Sequence, residues 1–313
     1  MSAYIKIIRP VNLLIIILTQ VLFRFFIVDN YFGLGGAESG FNYIEFMILV
    51  LATILIAAGG YVINDLYDIK ADEVNKPEKI IAGVFISKKT LKFYYAALTS
   101  TGVLLGVLLA FRVSFLSLGL IFPAIAIMLW LYSSEYQHTA LLGNLMIGLM
   151  SGLVVFIVWL FEFFAMRAQP LVYAAAAQTL ETIGLIAGAY AVFASLVTLI
   201  REIFKDIEDM EGDKAAGYRT LPLAFGKSAA KITAMAFTVI TIGLLASFQF
   251  LLFRTGLTLV FWYLMIAVQP LLLFLLYYTL KAKDKEDFHF VSNVSKIIML
   301  AGILSMQLFY ISY

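Results

Sequence analysis

Cysteine is absent from the 313-residue chain, so no disulfide, thiolate zinc site or thiol nucleophile is available. Histidine is nearly absent. His138 and His289 stand far apart, which excludes a multi-histidine metal site and leaves carboxylates as the ligands on offer. Charge is scarce as well: Asp, Glu, Lys and Arg supply 13% of the residues, against about 25% in a soluble domain. The net charge is only +2 and no basic stripe is visible, so nucleic acid is not an expected partner. The start, MSAYIKIIRP, lacks the polar, small-residue cleavage region of a signal peptide and reads as leading into a retained first span.

What is abundant is apolar. Hydrophobic residues make up 63% of the chain. Nine segments are long enough to cross a bilayer: roughly 8–28, 43–63, 92–111, 114–132, 140–161, 183–203, 229–252, 257–280 and 293–312. No strand pattern and no polar linker interrupts them. The expected fold is an all-α polytopic membrane protein, a single domain over 1–313 built from helical hairpins. The segment 163–182 is less apolar, contains Arg167, Pro170 and Glu181, and reads as an outer loop with an interfacial helix. The stretch KAKDKEDFH, 281–289, reads as a solvated inner loop, and Glu162 as water-facing at an outer helix end.

The basic residues orient the chain. With the N-terminus inside, 18 of the 22 Lys and Arg fall on inner segments; Arg24, Arg112, Arg167 and Arg254 are the exceptions. That asymmetry predicts a cytoplasmic N-terminus and an outer C-terminus.

The acidic residues cluster on the same inner side. Eleven of the twenty lie within 65–78 and 202–213. NDLYDIKAD places Asp65, Asp68 and Asp72 at i, i+3 and i+7; KDIEDMEGD places Asp206, Asp209 and Asp213 at the same intervals. On a helix each triad shares one face. Three carboxylates so placed repel one another, and a hard divalent cation removes that cost. Magnesium commonly joins one or two carboxylates to phosphate oxygens. Lys76, Lys79, Arg201 and Lys205 flank the triads and suit phosphate contacts, with Asn64 beside them. One acidic triad is well explained as a solvated loop; two of matched spacing at span ends are not. Gly59 and Gly60 fit either a turn or ordinary close helix packing.

The first triad, continued by Asn75-Lys76-Pro77-Glu78-Lys79 and Gly83, resembles the first signature of the UbiA superfamily of intramembrane prenyltransferases. Arg201-Glu202-x-x-Lys205-Asp206-x-x-Asp209-x-x-x-Asp213, with Thr220-Leu221-Pro222 and Gly226, resembles the second. Arg9-Pro10 with Asn12, and Leu142-Gly143-Asn144, are shorter matches. The resemblance implies nine membrane helices around a central cavity, capped on the cytoplasmic side. It implies that Asp65, Asp68, Asp72, Asp206, Asp209 and Asp213 hold Mg2+ and the diphosphate of a polyprenyl donor. Asp68, Asp72, Asp206 and Asp209 then act most directly in catalysis. Asn12, Asn64, Lys76, Lys79, Tyr132, Ser133, Asn144, Arg201 and Lys205 would meet substrate, and the prenyl tail would lie in an apolar groove open to the bilayer.

The run R-E-I-x-K-D-I-E-D-x-x-G-D is similar to the branch that alkylates a hydroxyl of geranylgeranylglyceryl phosphate, a lipid-like acceptor. Branches acting on aromatic, quinone-precursor or haem acceptors share the metal motifs. Two features depart from the family pattern: lysines at 76 and 79 where arginine is common, and Tyr132-Ser133-Ser134-Glu135-Tyr136-Gln137-His138, without Lys or Arg, before Leu142. His138 either supplies that missing contact or is a plain interfacial residue. An ion transporter is the alternative of another class, but it would place charge at mid-membrane.

Overall fold

The computed structural model of the chain describes residues 2–312, with the Lys79 side chain outside the described set. Nine of the described helices are long and apolar enough to cross a membrane. They are α1 (Pro10–Leu34), α2 (Tyr43–Tyr67), α4 (Lys88–Arg112), α5 (Leu116–Ser134), α6 (Leu142–Arg167), α7 (Pro170–Glu208), α9 (Lys227–Arg254), α10 (Thr258–Lys281) and α11 (Lys285–Ile311). Two seven-residue helices, α3 (Ile69–Asn75) and α8 (Met210–Ala216), follow α2 and α7. No strand forms among the described residues. The reason is general: only helices or a closed barrel satisfy backbone polar groups in lipid.

Contacts link the helices in a ring, which α1 crosses to meet α6. α1 meets α2, α2 meets α5, α5 meets α6, α6 meets α7, α7 meets α11, and α11 returns to α1. α4 packs outside α2 and α5, and α9 outside α7, with α10 bridging α9 and α11. Glycine sets the close approaches. A Cβ on Gly59 would meet the Thr99 hydroxyl at 2.2 Å, and one on Gly60 a Leu129 methyl at 3.1 Å, so this pair serves helix packing. Leu14, Ile44, Phe93, Phe111 and Ile266 are exposed on the outside, as lipid-facing residues should be.

Three sequence expectations are corrected. First, 163–182 is no loop: α6 runs to Arg167 and α7 begins at Pro170, whose missing N–H suits a helix start. α7 has 39 residues, about 58 Å at 1.5 Å per residue. Second, 281–289 is mostly helical. Asp284 caps α11 in a reciprocal box with Asp287, and His289 lies on the helix. Third, Glu162 does not meet water. It is fully buried and bonds Arg24 at 2.6 Å, while Ser39 and the Gly40 N–H complete its partners. Arg24, at the start of a π turn in α1, also donates to the Phe41 carbonyl.

Candidate active site

The two triads are built alike. α2 ends at Tyr67, Asp68 breaks the helix with φ −82° and ψ 1°, and α3 resumes it. α7 ends at Glu208, Asp209 breaks it with φ −94° and ψ 8°, and α8 resumes it. The helical hydrogen bonds continue through each break: the Asp68 N–H to Asn64 and Asp72 to Asp68, and likewise Asp209 to Lys205 and Asp213 to Asp209. Each triad therefore keeps one face despite the bend.

Asn75 fastens the two halves together. Its side chain donates to the Asp209 carbonyl at 3.0 Å and accepts from the Gly212 N–H at 2.9 Å. Gly212 is required there, because a Cβ would stand 2.3 Å from the Asn75 amide and 2.5 Å from the Ala71 carbonyl. Lys76 bonds Asp209 at 2.9 Å across the same junction. Asn144 donates to Asp206 at 2.8 Å. Arg9 donates to Asp65 at 2.6 Å and to Asn64 at 3.3 Å, and its guanidinium lies 5.0 Å from the Tyr61 ring. The Arg9 backbone is left-handed, with φ 52°, immediately before Pro10. Gln137 bridges Asn64 and Asp68 through its side-chain amide.

The site thus gathers most of the residues that the sequence singled out. Asp65, Asp68 and Asn64 share Arg9 and Gln137; Asp206, Asp209, Asn144 and Lys76 form the facing half. Lys205 acts electrostatically on Asp68, Asp72 and Asp213. Tyr132 lies within electrostatic range of Glu202, Asp206 and Asp68. Arg201 pairs with its neighbour Glu202. Asn12 is half-buried on the first turn of α1. Ser133 faces away from the expected role: it is buried and its hydroxyl donates to Leu129 in its own helix at 3.0 Å. His138 stacks on Tyr218 with ring centroids 3.7 Å apart, and burial lowers its pKa, so it offers a neutral ring rather than the missing cation. Arg9, Asn75 and Gln137 were not among the expected site residues. Arg9-Pro10, and Asn75 within the first signature stretch, were the sequence signals for two of them.

Electrostatically the site holds surplus negative charge. Burial, then repulsion from Asp72, pushes Asp68 up to about 7 even beside Lys205. Burial and Asp209 push Asp213 up to about 7. Asp72 is raised as well, by burial and Asp65. One buried oxygen of Asp209 has no hydrogen-bond partner. Among the described residues no three carboxylates converge to enclose an ion by themselves. That donor set fits magnesium, which takes one or two carboxylates and fills its remaining positions with water and phosphate oxygens. Far up α7, an apolar cavity of about 250 Å³ lies between α7, α9, α10 and α11, lined by Tyr190, Phe193, Phe248 and Gly302 among others.

Fold and site together define a polytopic membrane protein with two facing carboxylate half-sites at one end of its helix ring. Residues 31–297 match the UbiA prenyltransferase family, and the chain belongs to it. It is 30% identical over 305 residues to the digeranylgeranylglyceryl phosphate synthase of Thermococcus kodakarensis, covering 97% of this chain and 96% of that one. A solved digeranylgeranylglyceryl phosphate synthase superposes with TM-score 0.59 at 23% identity, over 97% of this chain and 98% of the other. A UbiA homologue from Archaeoglobus fulgidus bound to DMAPP and Mg2+ gives TM-score 0.51 at 17% identity, over 97% and 99%. The two structures share the fold. The chain is an integral multi-pass membrane prenyltransferase.

Proposed function

We propose that the protein transfers a geranylgeranyl group from geranylgeranyl diphosphate to a hydroxyl of geranylgeranylglyceryl phosphate, releasing diphosphate and a diether lipid precursor. The observation that carries the mechanism is the pair of matched Asp-broken helices, stapled by Asn75 with an unpartnered Asp209 oxygen between them. The similarity to digeranylgeranylglyceryl phosphate synthases supports the acceptor.

Asp65, Asp68 and Asp72 on one side, and Asp206, Asp209 and Asp213 on the other, would hold Mg2+. When bound, Mg2+ neutralises charge on the departing diphosphate. Lys76 and Lys205 turn their ammonium groups to the same oxygens, Lys76 exchanging its bond to Asp209 for phosphate. Gln137 and Arg9 orient Asp68 and Asp65, and Asn144 orients Asp206. The donor carbon–oxygen bond breaks to an allylic cation. The acceptor oxygen then forms the new carbon–oxygen bond and gives its proton to a carboxylate of the site. The short helices α3 and α8 lie over this chemistry as a cap on the cytoplasmic side, with the N-terminus inside and the C-terminus outside. The whole chain, 1–313, works as one domain.

The test is the purified protein in detergent with Mg2+, radiolabelled geranylgeranyl diphosphate and geranylgeranylglyceryl phosphate. Diether phosphate, abolished by a chelator, is the expected product. Reaction only with an aromatic, quinone-precursor or haem acceptor would overturn the acceptor while keeping the class.

A further inference from the structure

α7 and α11 run antiparallel and in contact, and their register can be read from two bonds. At the inner end Glu208 meets His289 at 3.0 Å. Higher up, the Thr198 hydroxyl reaches the Met299 sulfur at 3.9 Å. Between these two levels, seven residues from the first and three from the second, that register sets Arg201 of α7 level with Lys296 of α11. Lys296 is within electrostatic range of both Arg201 and Lys205. Three cations thus meet in one seam, about 10 Å above the Glu208 level at 1.5 Å per residue.

That density of charge in a membrane-spanning region is costly, and it marks function by default. Glu202 and Glu208 are the acids in reach of Lys296, but Glu208 is bonded to His289. Glu202 pairs with both Arg201 and Lys205, and Lys205 is shared with the aspartates of the carboxylate site. The buried Arg201 Nε has no hydrogen-bond partner. Lys296 is exposed, with Asn293 bonded at 3.0 Å, while Val294, Ser295 and Ile298 on the other face of α11 are buried. An ammonium has three donors, so Lys296 keeps two to offer. The seam has an exposed ammonium, a neighbouring guanidinium and unused donors.

The seam stands one turn of α7 from the carboxylate half-sites. Among cations, Lys205 acts most on Asp68, whereas Arg201 acts most on Lys296. Lys205 therefore separates two anion positions. The carboxylate side has the means to take a metal-bound diphosphate; on the Arg201–Lys296 side the two glutamates in reach are already paired, Glu202 with Arg201 and Glu208 with His289, and that side would take a phosphate directly.

We propose that Arg201 and Lys296, with Asn293, bind the phosphate monoester of the acceptor and so select a phosphorylated glycerol lipid over a neutral acceptor. This rests on the acceptor assigned above. A phosphate monoester carries close to two negative charges and three acceptor oxygens, which matches two cations and an amide.

The experiment compares geranylgeranylglyceryl phosphate with geranylgeranylglycerol as acceptors, using full-length protein with Mg2+ in detergent. Variants are Lys296→Gln, Lys296→Arg and, as a control for net charge, Lys285→Gln at the exposed start of α11. Losing one charge-assisted contact should raise the KM for the phosphorylated acceptor about ten- to a hundredfold in Lys296→Gln. The donor KM should stay within about twofold, and the preference for the phosphorylated acceptor should collapse. Lys296→Arg should recover most of that preference. An unchanged preference in folded Lys296→Gln overturns the proposal. So does an equal rise in donor and acceptor KM, which would assign the seam to the diphosphate. A shift seen in anionic bilayer discs but not in detergent would assign it to bulk lipid phosphate and overturn it too. A wild type that alkylates only neutral acceptors fails earlier, on the proposed function itself.

Discussion

At the residue scale the site is a balance of charges that the protein alone leaves unsettled. Asp68→Asn and Asp209→Asn should each lower turnover at least about a hundredfold, the usual effect of removing a group that organises transition-state charge; product formation with saturating Mg2+ measures it. Gln137→Ala should cost about 10- to 100-fold in Mg2+ affinity, since Gln137 bonds Asp68, a proposed ligand. The raised carboxylates also set a sign for stability. Asp68 and Asp213 titrate near 7 in the folded chain and near 4 when unfolded, so the folded state holds more protons in between. With Mg2+ chelated, the melting temperature should therefore fall as pH rises from about 5 to 8; added Mg2+ should flatten that slope. A melting temperature that rises over this window would contradict the surplus negative charge.

The six aspartates were legible because their spacing obeys one helix period, and a period is a local property. Gln137, Arg9 and Asn75 were not, because their partners lie 55 to 137 residues away in sequence. Their place depends on how helices pack, which no local pattern states. Ser133 shows the reverse error: a hydroxyl near a motif satisfied itself within its own helix.

At the scale of the element, close packing and buried charge do what composition could not announce. Gly212→Val should force α8 from α3, since the Ala71 carbonyl cannot yield. Activity should drop sharply while helix content by circular dichroism stays constant. The Arg24–Glu162 pair should behave as buried ion pairs do. Arg24→Met leaves a buried carboxylate unpaired and should cost about 3–5 kcal/mol; the double variant Arg24→Met/Glu162→Leu should recover much of it. Thermal unfolding in detergent distinguishes the two. Nine spans were readable from hydropathy, yet the outer end of α7 was not. Residues 174–178 read Ala-Ala-Ala-Ala-Gln, too polar overall for a span but strongly helix-forming.

At the scale of the whole molecule, the lack of cysteine becomes useful. Single cysteines at Lys214 and at Arg254 should react with impermeant maleimide from opposite faces of oriented vesicles, Lys214 from the inside. Labelling of Lys214 from the outside and Arg254 from the inside would reverse the proposed orientation; labelling of both from one face would contradict the span between them. The stapled pair of half-sites carries one more consequence. α2 and α3 leave the ribosome long before α7 and α8, and Asn75 cannot reach Gly212 until the sixth span is in place. The active site therefore cannot close until the sixth of the nine described spans has been made. Chains that end before α8 will hold a bilayer position but no working centre, so no reactive allylic cation is generated on them.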